Sequence, residues 1–169
     1  KVNRFKIEKG RGKIVMKGED TYNIIDSLIL CKFSRGVYYE ELEDMVKYYT
    51  LATGIEITPE ELSQVGERIN NLAKVLNIRE GKGTREYDQV PPKIKNVPVP
   101  DEGFAKGAHV TQKEFDVGLD DYYEVVGWTK DGIPTVEKLK ELGLQDLVPI
   151  VKKKLAKTQT PKRKGNGGK

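Results

Sequence analysis

Apolar residues recur every three or four positions along most of this chain, which is the spacing of amphipathic helices rather than of strands. The pattern predicts four main helices, a short helix between Thr135 and Gly143, and a last helix over 146–157. The main helices are expected over 20–31, 38–53, 58–78 and 111–127. The predicted fold class is therefore mainly α, a multihelical domain of about five helices.

Two of the predicted helix starts carry a threonine that can cap free backbone amides. Thr58 and Thr111 are each followed three residues later by a glutamate, which completes a capping box, and Pro59 suits the first helical position. Gly54 and Gly127 are expected to end the helices that precede them, because glycine readily adopts a positive φ.

The helix that begins after Thr58 has the longest apolar stripe, and we expect it to be the central support of the core. The residues predicted to face inward are Leu62, Val65, Ile69, Leu72, Ala73 and Leu76.

Two segments depart from helical spacing. Residues 1–17 alternate weakly around a glycine-rich turn, with Ile14 and Met16 on the second side, and this predicts a small N-terminal β-hairpin. Residues 91–100 contain four prolines and predict an extended segment on the surface.

The basic charge is concentrated at the C-terminus. The 169 residues carry a net charge of +4, yet the part from Lys152 onward holds eight basic side chains and no acidic one, so the remainder has 22 basic against 26 acidic residues. The chain is thus divided into a hairpin over 1–17, a helical domain over 18–157 and a flexible basic tail over 158–169 that is predicted to be disordered. The tail either keeps the protein soluble or binds RNA, a membrane surface or an acidic partner. The first alternative is favoured because no aromatic residue accompanies its charges.

Several classes of protein are excluded by composition. No run of 18 apolar residues is present, which excludes a membrane-spanning helix. Cys31 is the only cysteine, which excludes an internal disulfide and favours a reducing, cytoplasmic compartment. His109 is the only histidine and is expected in a surface loop. The chain begins at Lys1 without a signal-peptide pattern, so we expect a piece of a longer chain or a processed subunit.

Asp26 and Cys31 are the candidate functional residues. Asp26 interrupts an apolar helical run, where an unpaired buried carboxylate would cost several kcal/mol, so it is partnered, exposed at the helix end, or bound to a ligand. A lone cysteine near a helix end is most often part of the core. In a continuous helix, a separation of five residues would place the side chains of Asp26 and Cys31 about 140° apart, so they could not both point into one narrow pocket. We therefore expect the helix to end between them, near Leu30 to Lys32.

Residues 26–33 resemble the signature Asp-x-x-Gly-Leu-Cys of the tungsten-containing aldehyde ferredoxin oxidoreductase family. Asp26, Leu30 and Cys31 match it, whereas Ile29 replaces the glycine, and we expect its branched side chain to push the helix end away from a cofactor. Further blocks are similar in the family's order: 66–72, 77–81, Arg85, Asp88, Pro91, Pro92, Pro98, Pro100, Gly103, 119–123, 127–128, 132–135 and 142–144.

The resemblance implies an oxidoreductase that oxidises aldehydes to carboxylic acids and passes electrons through a [4Fe–4S] cluster to ferredoxin. In the family, tungsten (or molybdenum) is held by two pterins, and this chain is similar only to the last helical domain. By resemblance, Cys31 is the fourth cluster ligand, Asp26 binds the pterin and Leu30 adds backbone contacts. No residue here is assigned a catalytic role.

The partners implied by the resemblance are the N-terminal and middle domains, ferredoxin, an aldehyde and a second copy of the full enzyme. No membrane or nucleic-acid partner is expected, and the isolated chain is expected to be inactive and to carry neither cofactor. The alternative is a non-catalytic helical binding module that uses its basic tail on nucleic acid or an acidic partner.

Overall fold

The computed structural model describes residues 7–37, 39–100 and 103–159, with side chains up to Ala156, and these residues form seven α-helices. Extended residues within these ranges form two isolated bridges, Arg35–Tyr39 and Trp128–Pro134, and no sheet. The helices are α1 (Gly12–Ser27), α2 (Leu42–Thr53), α3 (Pro59–Arg79), α4 (Pro92–Asn96), α5 (Gln112–Val126), α6 (Val136–Glu141) and α7 (Val148–Gln159), with 3-10 turns at Lys32–Ser34 and Gln145–Leu147. The predicted mainly α class is confirmed. No helix among the described residues is long and apolar enough to cross a membrane.

The long helix α3 lies at the centre of the fold. Its first half contributes Leu62 to a hydrophobic cluster with α1 and α2, and its second half contributes Val75 and Ile78 to a cluster with α6 and α7. The buried members are Ile24, Ile25, Tyr39, Met45 and Leu62 in the first cluster, and Val75, Ile78, Ile133, Leu139 and Val151 in the second. The sequence-based expectation that this helix supports the core is therefore correct.

The inward face of α3 differs from the predicted stripe. Leu72 and Leu76 are 39% and 40% exposed and Ala73 is exposed as well, so the prediction that these three residues face the core is wrong. Asn71 and Lys74 are buried instead, because each has a polar partner in a segment 57 or 14 residues away. An apolar periodicity cannot reveal inward polar residues whose partners come from distant segments.

The helices α1 and α3 cross at very short distance. A Cβ atom on Gly66 would stand 2.5 Å from the backbone oxygen of Asp20, so a larger residue would push the helices apart. The crossing buries the Asp20 side chain, whose Oδ1 has no hydrogen-bond partner among the described residues. Burial, followed by the nearby carboxylates of Glu67 and Glu19, raises the pKa of Asp20 to about 7.

The predicted capping boxes are present. The Glu61 N–H donates to Thr58 Oγ1 at 3.2 Å while the Glu61 carboxylate accepts from the Thr58 N–H at 2.8 Å, and Thr111 and Glu114 pair in the same way at the start of α5. The predicted terminating glycines, Gly54 and Gly127, follow α2 and α5 with φ of 72° and 73°.

The β-hairpin predicted over 1–17 is wrong in the part that the structure describes. Ile14 and Met16 lie in α1, which begins at Gly12 and crosses the predicted boundary between residues 17 and 18 without interruption. Met16 packs against a cluster formed with α5. A weak alternation of apolar and polar residues is poor evidence for a strand, because contacts with the rest of the fold decide whether such a short segment is helical or extended. Residues 1–6 lie outside the described part.

Two other predicted segments are changed in detail. The proline-rich segment 91–100 contains α4, so it is extended only in part. The helix α7 continues to Gln159, two residues into the predicted tail, and residues 160–169 lie outside the described part of the chain.

Candidate cofactor-contacting site

The C-terminal end of α1 separates Asp26 from Cys31. The Leu30 N–H donates to the Ile25 carbonyl at 3.0 Å and the Ile29 N–H donates to the Asp26 carbonyl at 3.2 Å. This pair of hydrogen bonds is the Schellman arrangement that closes many helices. The helix therefore ends at Ser27, between the two candidate residues as expected but three residues earlier than Leu30.

Ile29 has the left-handed backbone conformation that the Schellman arrangement requires. Its φ is 56°, the only positive φ of a residue other than glycine in the described part of the chain. A β-branched residue is strained in this region, whereas glycine is not. The glycine of the signature is thus explained by backbone conformation. The turn closes around Ile29 with both hydrogen bonds formed. The expectation that its side chain pushes the helix end away from a cofactor stays a prediction.

The three predicted site residues differ in burial. Asp26 and Cys31 are exposed, whereas Leu30 is half-buried and packs against the cluster between α1 and α2. The core interpretation of Cys31 therefore fails. The burial cost that made Asp26 notable also disappears, since an exposed carboxylate stays hydrated.

A different cost applies to Asp26. It lies in the last turn of α1, where the helix dipole is negative and where a cation would be more favourable. The last turn of α1 has no basic residue. A carboxylate at this end does not stabilise the helix.

The backbone of Cys31 is held by three hydrogen bonds. Its carbonyl accepts from the Tyr39 hydroxyl at 2.8 Å, from the Ser34 hydroxyl at 2.6 Å and from the Ser34 N–H at 3.0 Å. Tyr39 is itself 3% exposed and belongs to the core. Sequence reasoning missed this anchor, because nothing in the spacing of Tyr39 indicates that its hydroxyl reaches back to Cys31. The result is an exposed thiol on a fixed backbone.

Two basic side chains that follow Cys31 in the sequence lie against the ring of Tyr22. Lys32 Nζ stands 4.6 Å from the centre of the Tyr22 ring, and the Arg35 guanidinium stands 5.9 Å from the same centre. Both cations thus lie against one ring rather than against a carboxylate.

The described residues cannot enclose a metal by themselves. They contain no group of three or more histidine, cysteine, aspartate or glutamate side chains that could hold one. Cys31 nevertheless suits a metal site shared with another segment, because its thiol is free and exposed. Asp26 likewise offers an exposed acceptor that can pair with N–H donors.

The downstream motif residues come together elsewhere, in a polar network between α3, α5 and the loop after α3. Asp88 Oδ2 accepts from Lys74 Nζ at 2.5 Å and from the Tyr123 hydroxyl at 2.6 Å, and Trp128 Nε1 donates to Asn71 Oδ1 at 2.8 Å. Burial raises the pKa of Tyr123, so its hydroxyl stays protonated and donates. Several of these groups line a cavity of about 650 Å³. The network ties the loop to the helices and serves the fold.

The N-terminal end of α1 has a cap that the sequence does not indicate. The buried Asp121 carboxylate, on α5, accepts from the Gly12 N–H at 2.6 Å and from the Gly10 N–H at 2.8 Å. These hydrogen bonds, the one from Gly12 foremost, hold the pKa of Asp121 below its usual value. A Cβ on Gly12 would lie 2.7 Å from the Asp121 backbone oxygen, so only glycine permits this approach.

His109 lies in an exposed loop, as predicted. Its Nδ1 is 3.1 Å from the carbonyl oxygen of Gly107, a local contact within the loop.

Comparison with known proteins gives this arrangement its context. A family model described as "Aldehyde ferredoxin oxidoreductase, domains 2 & 3" matches residues 1–144. The chain is 34% identical over 149 residues to the "Tungsten-containing aldehyde ferredoxin oxidoreductase" of Pyrococcus abyssi, which is 88% of this chain and 23% of that protein. It is 31% identical over 141 residues to the "Aliphatic sulfonate oxidoreductase, WOR-like subunit" of Pyrococcus furiosus. That match covers 80% of this chain and 22% of the relative.

A solved structure is also similar. The "Active site complex BamBC of Benzoyl Coenzyme A reductase in complex with 1,5 Dienoyl-CoA" superimposes with a TM-score of 0.69 at 27% identity, over 85% of this chain and 21% of that one. The fold thus recurs as one part of larger oxidoreductases. The chain belongs to the aldehyde ferredoxin oxidoreductase family, and it spans about a quarter of the length of the relatives it matches.

Proposed function

We propose that this chain is the C-terminal, cofactor-contacting domain or subunit of an oxidoreductase that converts aldehydes to carboxylic acids with ferredoxin as electron acceptor. The family membership supports the reaction class. The observation that carries the site assignment is the end of α1, where an exposed carboxylate and an exposed thiol flank a closed Schellman turn.

The stability of the chain does not account for these residues. Asp26 opposes the helix dipole, and Cys31 buries no apolar surface. Features that conflict with local stability are typically found at functional sites. The position of Cys31 on a backbone fixed by Tyr39 and Ser34 suits a residue that must meet a partner group in one geometry.

In this proposal Cys31 provides one thiolate to a [4Fe–4S] cluster, and the remaining ligands come from another part of the enzyme. Asp26 accepts hydrogen bonds from the N–H groups of a pterin, and the Leu30 backbone lies beside it. The bound cluster and the tungsten pterin supply electron transfer and the oxidation chemistry. This chain's residues orient those groups and transfer no proton. The positive charges of Lys32 and Arg35 favour an anionic group nearby.

The test uses the natively purified enzyme that contains this chain. Cys31→Ser is expected to lower iron content or shift the cluster's reduction potential, and Asp26→Asn is expected to lower pterin content while iron is retained. Ser27→Ala, an exposed change at the same helix end, is the matched control and should leave both unchanged. Normal iron, pterin and turnover in both site variants would refute the assignment.

The isolated chain provides a second test. One thiolate cannot replace the four that a [4Fe–4S] cluster ordinarily needs, so anaerobic reconstitution should yield no stoichiometric four-iron monomer. A brown monomer with four irons would contradict the shared-cluster proposal. Salt-sensitive nucleic-acid binding that is lost on deletion of residues 152–169 would instead favour the binding-module alternative.

A further inference from the structure

Ile29 combines two unfavourable features. Its backbone has a φ of 56°, which strains a β-branched residue, and its side chain is 92% exposed. A strained conformation persists where the surrounding structure or a partner makes use of it. The closed turn accounts for the backbone conformation, but it does not account for a branched apolar side chain that is left in water at this position.

A second large apolar side chain follows closely. Phe33, in the 3-10 turn Lys32–Ser34, is 95% exposed. Ile29 and Phe33 stand on either side of Cys31 in the sequence, and they leave apolar surface in water at a place that the proposed function assigns to a shared site.

The segment that carries these side chains is fixed. Leu30 packs inward against the core, and Tyr39 binds the Cys31 carbonyl from the buried side. The turn therefore cannot rotate Ile29 and Phe33 inward without breaking core contacts. Exposed apolar groups on a fixed backbone are typical of an interface that is organised before its partner binds.

We propose that Ile29 and Phe33 form an apolar anchor that packs against the remaining domains of the enzyme, on either side of the shared cluster ligand. The occupant follows from length, because about three quarters of each matched relative lies outside the region this chain covers. Lys32 and Arg35 belong to the same segment and carry positive charge, so we expect the opposing surface to have an apolar centre and an acidic edge. This inference rests on the proposed function, since it names the surface that closes over the same site.

The first experiment measures the strain in the 169-residue chain. Ile29→Gly and Ile29→Asn should each raise the ratio of folded to unfolded protein about fivefold or more in denaturant titrations, because both residues tolerate a positive φ. Phe33→Ala should change this ratio less than twofold. Loss of stability in both Ile29 variants would overturn the inference, because the side chain would then contribute within this chain.

The second experiment compares hydroxyl-radical oxidation of the 169-residue chain with that of the natively purified enzyme. Ile29 and Phe33 should be oxidised at least about fivefold more slowly in the enzyme, whereas Leu51, which is 78% exposed on α2, should change less than twofold. Ile29→Gly in the enzyme should increase Phe33 oxidation again.

The outcomes separate this inference from the proposed function. Equal oxidation of Phe33 in the two forms, in an enzyme whose iron content depends on Cys31, would overturn the anchor and leave the cofactor assignment standing. Protection of Phe33 and Ile29 in an enzyme whose iron is unaffected by Cys31→Ser would establish the anchor and remove the cluster assignment.

Discussion

The two ends of α1 are built on opposite principles. At its N-terminal end, the buried carboxylate of Asp121 accepts from two backbone N–H groups, and Gly12 permits close contact with α5. At its C-terminal end, Asp26 opposes the helix dipole and Ile29 is strained and exposed. The first end is optimised for folding, whereas the second carries features that folding alone would not favour.

The contrast also divides the motif residues that the family resemblance brings together. The downstream residues Asp88, Tyr123 and Trp128 belong to a hydrogen-bond network within the chain, in which Tyr123 and Trp128 are buried and Asp88 is half-buried. The upstream residues Asp26 and Cys31 face outward. The residues that carry the family resemblance therefore lie in two different environments, one inside the chain and one on its surface.

The largest expected effect compares two aromatic residues, one from each region. Trp128→Ala should lower the free energy of unfolding by about 3–5 kcal/mol, because it creates a cavity and leaves Asn71, which is 0% exposed, without its donor. Phe33→Ala should lower it by less than about 0.5 kcal/mol. Denaturant titration of the 169-residue chain measures both, and equal losses would contradict the contrast.

The second effect compares two aspartates that lie near opposite ends of α1. Asp121→Ala should cost about 3 kcal/mol at pH 7, because two charge-assisted hydrogen bonds to the helix N-terminus are lost. Asp26→Asn should cost nothing in the isolated chain and should stabilise it by a few tenths of a kcal/mol, roughly the value of one helix-dipole interaction.

The pH dependence of the same pair sharpens the comparison. Since the pKa of Asp121 is lowered from 3.8 in the folded state, its contribution is present above about pH 4 and is lost as the pH falls through the lower folded value. The Asp121→Ala variant should lack this acid-sensitive part of the stability curve. An unchanged acid limb would contradict the capping role.

The third effect concerns Asp20 in the middle of α1, where the pH dependence of stability has the opposite sign to that of Asp121. The pKa of Asp20 rises from 3.8 to about 7 on folding, so its favourable contribution is present below about pH 4 and is lost as the pH rises to about 7. Asp20→Asn should therefore stabilise the chain by about 1–3 kcal/mol at pH 8, and this gain should shrink towards pH 4. Glu56→Gln, an exposed change, is the control and should show no such trend.

The smallest effect tests which face of α3 is inward. Leu72→Ala should cost less than about 1 kcal/mol because the side chain is 39% exposed, whereas Val75→Ala should cost on the order of 2 kcal/mol from a fully buried position. The reverse order would restore the face that the apolar stripe predicted.

Local signals in the sequence determined the helices with the clearest boundaries. Thr58 with Glu61 and Thr111 with Glu114 satisfy free amides within one turn, and Gly127 ends α5 with a positive φ. These features depend on residues a few positions apart, so they can be read from the chain without knowledge of the fold. The family signature at Asp26 and Cys31 is local in the same sense.

Contacts between distant segments decided the rest. Met16 packs against a cluster formed with α5, and the buried Asn71 is paired with Trp128. The cap on α1 comes from Asp121, 109 residues beyond Gly12. Such pairings leave no periodic trace, because each partner looks like an ordinary polar or weakly patterned residue in its own segment.

The description of the candidate site likewise comes partly from the sequence and partly from the tertiary structure. The sequence, through its resemblance to the family signature, predicted Asp26, Leu30 and Cys31 as site residues and showed the departure at Ile29. The tertiary structure decided that Asp26 and Cys31 are exposed, that Leu30 packs against the core and that Tyr39 holds the Cys31 carbonyl. The physical reason is that residue identity supplies the chemistry of a site, whereas burial and orientation arise only when the helices pack around it.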